Sequence, residues 1–211
     1  MITEAVVFIR DEVRNYLKQV NAVINAQDVL LGNIASLENQ TNLTDKVIIT
    51  LVNVEEESAL KNSKSWSKNP LTGGIETRNP PVYLNLYLLF TATVPESVDG
   101  TDTHYQKALH RIAAIVELFQ SKKVFTLQNS PAFNPPNDLQ ERFLNEIRLV
   151  PELYTLTFEQ INHLWGSLGG KQSPFVMYKI RVVKVQGLIS AEAPPIESVD
   201  LEGNDWNTHS N

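Results

Sequence analysis

Cysteine is missing from all 211 residues, which excludes disulfide bonds, thiolate nucleophiles and cysteine-ligated zinc. No apolar run approaches the roughly 18 residues that a membrane-crossing helix needs. The N-terminus enters a periodic helix with neither a basic leader nor an unbroken apolar stretch, which speaks against a secretory signal and for synthesis in the cytoplasm. Histidines are few, and none has metal-ligand spacing. His104 and His110 lie six apart and so on different helix faces, His163 beside Trp165 reads as a helix-surface or interface residue, and His209 falls in a solvated tail. Catalytic signatures are lacking as well. Gly166-Ser167-Leu168-Gly169 does not have the spacing of a nucleophile elbow, and neither Gly73-Gly74 nor Gly169-Gly170 carries the Gly-Lys-Ser/Thr of a phosphate loop. These absences leave no nucleophile, base or metal set to support an enzyme, and no cofactor or metal is expected.

A basic excess is also missing. The net charge is −6, and five acids (Glu192, Glu197, Asp200, Glu202, Asp205) lie after Gln186 with no Lys or Arg among them. Residues 1–185 then hold 18 basic and 19 acidic side chains, a balance of −1. A near-neutral body with an acidic tail argues against nucleic acid, whose phosphates call for a basic stripe. What remains is ordinary globular material, 42% hydrophobic and 20% charged, long enough to bury a proper core.

Ile2, Val6, Ile9, Val13, Tyr16 and Val20 alternate spacings of four and three, predicting an amphipathic helix over Thr3 to Val20. Asp28 to Ala35 reads as a strand with a turn at Gly32-Asn33. Lys46 to Val54, rich in Val, Ile and Thr and apolar on both faces, reads as a strand inside a sheet. Ser58 to Pro80 has little apolar content and reads as a long loop. Val82 to Ala92 carries the clearest strand signal: Val82, Leu84, Leu86, Leu88 and Phe90 share one face, with Tyr83, Asn85, Tyr87 and Thr91 opposite. A capping box at Thr103 to Gln106 opens a second helix through Phe119. Val124 to Thr126 and Phe143 to Val150 read as strands, with a Pro/Asn turn region between them. Thr157 and Gln160 cap a short helix that stops at Gly169-Gly170, and Phe175 to Val185 forms the last strand. The order predicts an α/β (α+β) fold: a single mixed, largely antiparallel sheet flanked by helices, with helices on one face. Residues 1–185 form this domain, and residues 186–211 an acidic, flexible tail.

Glu55, Glu56 and Glu57 make up the densest carboxylate cluster. Strand alternation lets only Glu55 and Glu57 share a face, so solvated or ion-paired acids are the ordinary reading. Tyr83, Asn85 and Tyr87 suit either cross-strand pairing or a subunit contact. The basic segment with Lys61, Lys64, Lys68 and Arg78 against Glu76 carries +3, opposite in sign to the tail. Two such polar segments suit contacts between neighbouring subunits or with an assembly partner.

Four strings in the chain form a distinctive set: LLGNIA (Leu30 to Ala35), VIITLVNVEEESALKN (Val47 to Asn62), NPPVYLNLYLLFTA (Asn79 to Ala92) and LWGSLGGKQSPFVMYKIRVV (Leu164 to Val183). Through them the chain resembles the cap, or tail-terminator, family of phage-tail-like contractile injection particles of the antifeeding-prophage kind, over about residues 1–185. The resemblance implies a tail-terminator-like fold. It also implies a structural protein that assembles as a homo-oligomeric, hexameric ring, meets the inner tube protein and the sheath protein, closes the distal end of the tube and anchors the last sheath ring. Such a protein is made in the cytoplasm and leaves the cell within the particle, with neither nucleic acid nor membrane as partner. A true phage tail terminator and an assembly chaperone are the rival readings. The family brings no catalytic residues. Its contact residues are expected among Glu55, Glu56, Glu57, Lys61, Lys64, Lys68, Tyr83 and Tyr87.

Overall fold

The computed structural model of the chain describes residues 2–22, 25–34, 45–60, 66–68, 75–94, 103–131, 133, 147–169, 172–185 and 190–193. The elements are α1 (Ile2–Gln19), β1 (Val29–Leu31), β2 (Val47–Glu56), β3 (Trp66–Lys68), β4 (Ile75–Arg78), β5 (Val82–Ala92), α2 (Thr103–Ser121), β6 (Val150–Leu153), α3 (Phe158–Ser167), β7 (Phe175–Val185) and β8 (Ser190–Ala193). They form two compact units, one of residues 1–61 and 82–185, the other of residues 62–81 and 186–211.

In the first unit five strands run in the order β1-β2-β5-β7-β6. Only the β1–β2 pair is parallel, and the remaining three pairings are antiparallel. The mixed, largely antiparallel sheet read from the sequence is thus observed, within an α+β fold. β5 and β7, the longest strands, can be central because their alternate residues are apolar (Leu84, Leu86, Leu88, Phe90; Val176, Tyr178, Ile180) and pack against the helices. Helices α1 and α2 cover that face. The apolar stripe of α1 (Ala5, Phe8, Ile9, Val13, Leu17) is buried there, as is that of α2 (Ala108, Ala114, Ile115, Leu118, Phe119).

Phe119 forms the centre of this packing. Its ring meets Tyr178 at 4.5 Å, Phe90 at 5.5 Å and Phe125 at 5.7 Å between centroids, tying α2 to both central strands. Polar ties close the layer's edges. Lys122 Nζ lies 2.6 Å from the buried Glu12 carboxylate, joining the end of α2 to α1. Arg111 donates to Ala22 O at 3.0 Å and approaches Asp45 at 3.5 Å, with His104 Nδ1 at 3.2 Å from the same carboxylate. These contacts brace Asp45 in the left-handed region, at φ 62°, directly before β2.

The helices do not all share one face, as the sequence had suggested. α3 lies on the opposite side, where Trp165 packs with Ile34 and Ile48 and meets Phe175 at 5.4 Å. Ile48 alternates with Val47 and Ile49, which belong to the main core, so β2 has apolar residues for both layers. The expected cap of α3 is present: Thr157 Oγ1 accepts from Gln160 N at 3.2 Å, and Gln160 Oε1 accepts from Thr157 N at 3.0 Å. The helix stops as expected, with Gly169 at φ 103°. The α2 helix starts at Thr103 itself.

Four further departures concern the strands. β2 is interior only over its first half, because β1 pairs with Val47 to Ile49 and no further; its burial then changes abruptly from buried to exposed at Leu51. Around Phe125 there is a single bridge to Leu149 in place of a strand. The next strand begins at Val150, and residues 143–146 of the expected one lie outside the described residues. The expected loop Ser58 to Pro80 contains a 3-10 turn (Ser58–Leu60) and the strands β3 and β4. These strands and β8, from the expected tail, form a second sheet in the order β3-β4-β8. Its register sets Glu76 opposite Glu192 and Arg78 opposite Ser190, so loop and tail join through backbone pairing and no acid stands opposite a base.

Phe119→Ala is expected to cost about 3–5 kcal/mol, as truncating a buried phenylalanine does. Phe158→Ala, at a side chain 88% exposed, should stay within about 0.5 kcal/mol of the parent. Urea unfolding midpoints measure both.

Candidate interaction site

A β-bulge decides what the outer end of the sheet presents. β2 pairs Leu51 with Leu88 but Asn53 with Tyr87, so one residue is extra between them. An extra residue reverses side-chain parity. Before the bulge the even-numbered Ile48 faces α3; after it the odd-numbered Asn53, Glu55 and Glu57 take that side, beside Tyr87 and Asn85. On β7, Lys179 pairs with Tyr87 in register and Arg181 follows by alternation, so both cations stand on the same side.

The result is a network of charges and hydrogen bonds. The Tyr87 hydroxyl donates to Glu55 Oε2, and Lys179 Nζ lies 3.5 Å from that oxygen. Glu57 accepts from Asn85 Nδ2 at 3.0 Å and stands 3.4 Å from Arg181 Nη2, while Arg181 Nη1 donates to Glu152 at 2.8 Å. The Lys179 ammonium sits 5.5 Å from the Tyr87 ring centre, and Tyr154 packs edge-on against Tyr87 at 5.0 Å. Between this network and α3 lies a cavity of about 400 Å³, lined among others by Val52, Tyr87, Tyr154, Leu156, Leu164 and Met177.

These contacts set the protonation states. The Tyr87 hydrogen bond, helped by Lys179, holds the Glu55 carboxyl below the usual carboxylate range. The Asn85 and Ala59 hydrogen bonds, with Arg181 beyond them, do the same for Glu57. Tyr87 is pushed up by donating to Glu55 and by burial. For Lys179 burial acts downward, but the contacts with Tyr87 and Glu55 outweigh it and the ammonium is held above its ordinary value. Carboxylates fixed as anions and a lysine fixed as a cation are poor general acids and nucleophiles at neutral pH. Among the described residues no group of three His, Asp or Glu side chains is placed to hold a metal ion, and no helix is long and apolar enough to cross a membrane.

Of the residues singled out from sequence, Glu55, Glu57 and Tyr87 come together here. Glu56 is exposed on the alternate face, opposite Leu84 in register. Tyr83 is half-buried beside Lys184 in register. Lys61 and Lys64 lie outside the described residues, and Lys68 ends β3 in the second unit. Asn85, on the face opposite the apolar one, is only 1% exposed, and it donates to Glu57, which also meets Arg181. Sequence reasoning missed Lys179, Arg181, Glu152 and Tyr154. The alternation Tyr178-Lys179-Ile180-Arg181 was the available signal, a strand apolar on one face and cationic on the other.

Tyr87→Phe should raise the Glu55 pKa toward its ordinary value. Because that pKa is depressed in the folded state, the contact stabilises above the unfolded carboxylate value and loses effect as pH falls through the folded one. Tyr87 is raised, so its share is present below about pH 10 and lost as pH climbs through its folded pKa. The parent's advantage over Tyr87→Phe should therefore form a plateau between about pH 5 and pH 10 and shrink on both sides. Denaturation across pH measures it.

Comparison with known proteins gives the architecture its context. No curated protein sequence matches the chain. Among solved structures it is similar to the sheath/tube terminator of an extracellular contractile injection system, PVC, in its extended state. The TM-score is 0.60 at 14% identity, covering 100% of this chain and 65% of that one. It is also similar to the tube-terminating cap of the anti-feeding prophage, with a TM-score of 0.48 at 15% identity, covering 77% of this chain and 50% of that one. At these identities the first likeness establishes the fold, and this chain spans just under two thirds of that protein's length. The Pvc16 N-terminal domain family matches residues 5–198, nearly the whole chain. The chain belongs to the Pvc16 N-terminal domain family.

Proposed function

We propose that this protein is a structural cap of a contractile injection particle, closing the distal end of the inner tube and anchoring the last sheath ring. The observation that carries the reading is family membership over residues 5–198. It is joined by a fold shared with a sheath/tube terminator over the full chain. The site chemistry supports it, since the network on β2, β5 and β7 is built of fixed ions and suits protein contact more than turnover.

On this reading the protein works as a homo-oligomeric ring of six subunits, matching the sixfold tube that the family resemblance implies, with tube and sheath proteins as its partners and no catalytic role. A closed ring needs a heterologous, head-to-tail interface repeated around the axis. The protein is synthesised in the cytoplasm and leaves the cell in the particle. Glu55, Glu56, Glu57, Tyr83 and Tyr87, with Lys61, Lys64 and Lys68, are its proposed contact residues, and residues 186–211 serve assembly.

A terminator acts where growth stops, not where it starts. Deleting the gene should therefore leave tubes and sheaths that polymerise but vary in length and shed sheath on contraction. Electron micrographs of deletion particles measure both. Normal length with normal sheath retention would overturn the cap reading, and absence of the protein from purified particles would favour an assembly chaperone.

A further inference from the structure

Helix α3 is held to the sheet far more lightly than the other two helices. Of its ten residues only Trp165 is buried, whereas α1 and α2 bury seven and six. The layer beneath it has three buried residues, Ile34, Ile48 and Trp165, with Ile161, Leu168 and Phe175 packed at its margin. Two further residues of the helix, Gln160 and Leu164, line the cavity of about 400 Å³ instead of a packed core.

Polar contacts do not make up the difference. Among the described residues the hydrogen bonds of α3 close within the helix and its cap, and its ion pair, Glu159 with His163, is internal too. The Trp165 indole N–H is buried without an acceptor among the described residues, which lowers what its burial contributes. On either side the chain is fastened to the sheet, by Tyr154 N to Met177 O and by Ala92 N to Pro174 O, each at 2.9 Å. Among the described residues between those points Trp165 is the one buried side chain. Isolated helices shorter than about 12–15 residues are marginal in water, and this one has ten, with Gly166 inside it. Freed from the sheet, it unravels.

We propose that α3 is a lid that opens as a unit while the sheet and the α1–α2 layer stay closed. Opening draws Trp165 off Ile48 and Phe175 and joins the apolar floor it uncovers to the cavity wall at Val52 and Met177. Elements that rearrange come from the least buried parts of a fold. Gly169, at φ 103°, gives the end of the helix a backbone free to turn. The inference rests on packing within the first unit and not on the cap reading.

Amide hydrogen exchange on the full chain, followed residue by residue by NMR, tests the lid. The α3 amides bonded within the helix, those of Ile161 and Leu168 among them, should exchange together and about a hundredfold faster than those of α2 and β5. Gly166→Ala adds a methyl group with open space around it and favours the helix. It should slow α3 about fivefold and leave α2 and β5 within about twofold. Thiol labelling gives an independent readout, because the chain has no cysteine of its own. Ile48→Cys lies under α3, and Ile49→Cys lies under α1 and α2 on the other face of the same strand. The first should react with a disulfide reagent at least about tenfold faster, and Gly166→Ala should slow it alone. Exchange of α3 at the rate of α2 and β5, with Gly166→Ala slowing all three alike, would overturn the proposal. So would equal reaction of the two thiols, or protection rising smoothly from the ends of α3 to a Trp165 as slow as the core, which is fraying. None of these outcomes depends on tube length or sheath retention, so failure of the lid and failure of the cap reading can be told apart.

Discussion

Strand β2 has to face three environments along ten residues, and the bulge between Leu51 and Asn53 is what lets it do so. Upstream, alternate residues feed both hydrophobic layers, Val47 and Ile49 toward α1 and α2, Ile48 toward α3. A regular strand would continue that parity and bring Val54 and Glu56 to the side of Tyr87 and Asn85. The extra residue brings Asn53, Glu55 and Glu57 there instead, and the carboxylates find a phenol, an amide and two cations waiting. Bulges kink and twist a strand as well as shifting it, and they recur where a side chain must be re-aimed.

The two faces of the sheet are held by different physics. Under α1 and α2 the layer is aromatic and dry, with Phe119 touching Phe90, Phe125 and Tyr178. Burial of that kind supplies most of the stabilisation. On the opposite side, beyond Trp165, the contacts are ion pairs half open to solvent. Pairs of this sort are individually worth roughly 0–1 kcal/mol, so they contribute little to folding and more to the choice of partner. That division fits an assembly protein, whose core must be rigid and whose surface must be selective.

Much of this could be read in the chain before its structure. The stripe from Ile2 to Val20 gave α1 to within a residue at each end. The alternation of Val82 to Ala92 gave β5 its bounds, and Thr157 with Gln160 gave the cap of α3. In each case a local periodicity or a three-residue hydrogen-bond motif carries the information. What failed was non-local. That β1 is too short to cover β2 depends on two segments meeting in space. So does the second sheet, whose strand β4 is completed by β8 from far along the chain. Charge suggested that the basic segment and the acidic tail belong together, but they join within one chain, by backbone pairing. The site was half legible for the same reason: Glu55, Glu57 and Tyr87 stood out as a cluster and a tyrosine face, while Lys179 and Arg181, the cationic partners of the two glutamates, lie more than a hundred residues from them in sequence. That Glu55 and Glu57 share a face follows from alternation, but that this face is the one Tyr87 occupies depends on the bulge, which leaves no mark in composition.

The claim on which the account rests is that this chain sits at the end of a tube. A reconstruction of the blunt, distal end of an intact particle at a resolution that resolves helices tests it most directly. The account predicts a terminal ring whose repeating density takes the five-stranded sheet with α1 and α2 on one face and α3 on the other, in contact with both the last tube ring and the last sheath ring. Density for this fold at any other level of the particle, or a distal end closed by a different fold, would contradict it.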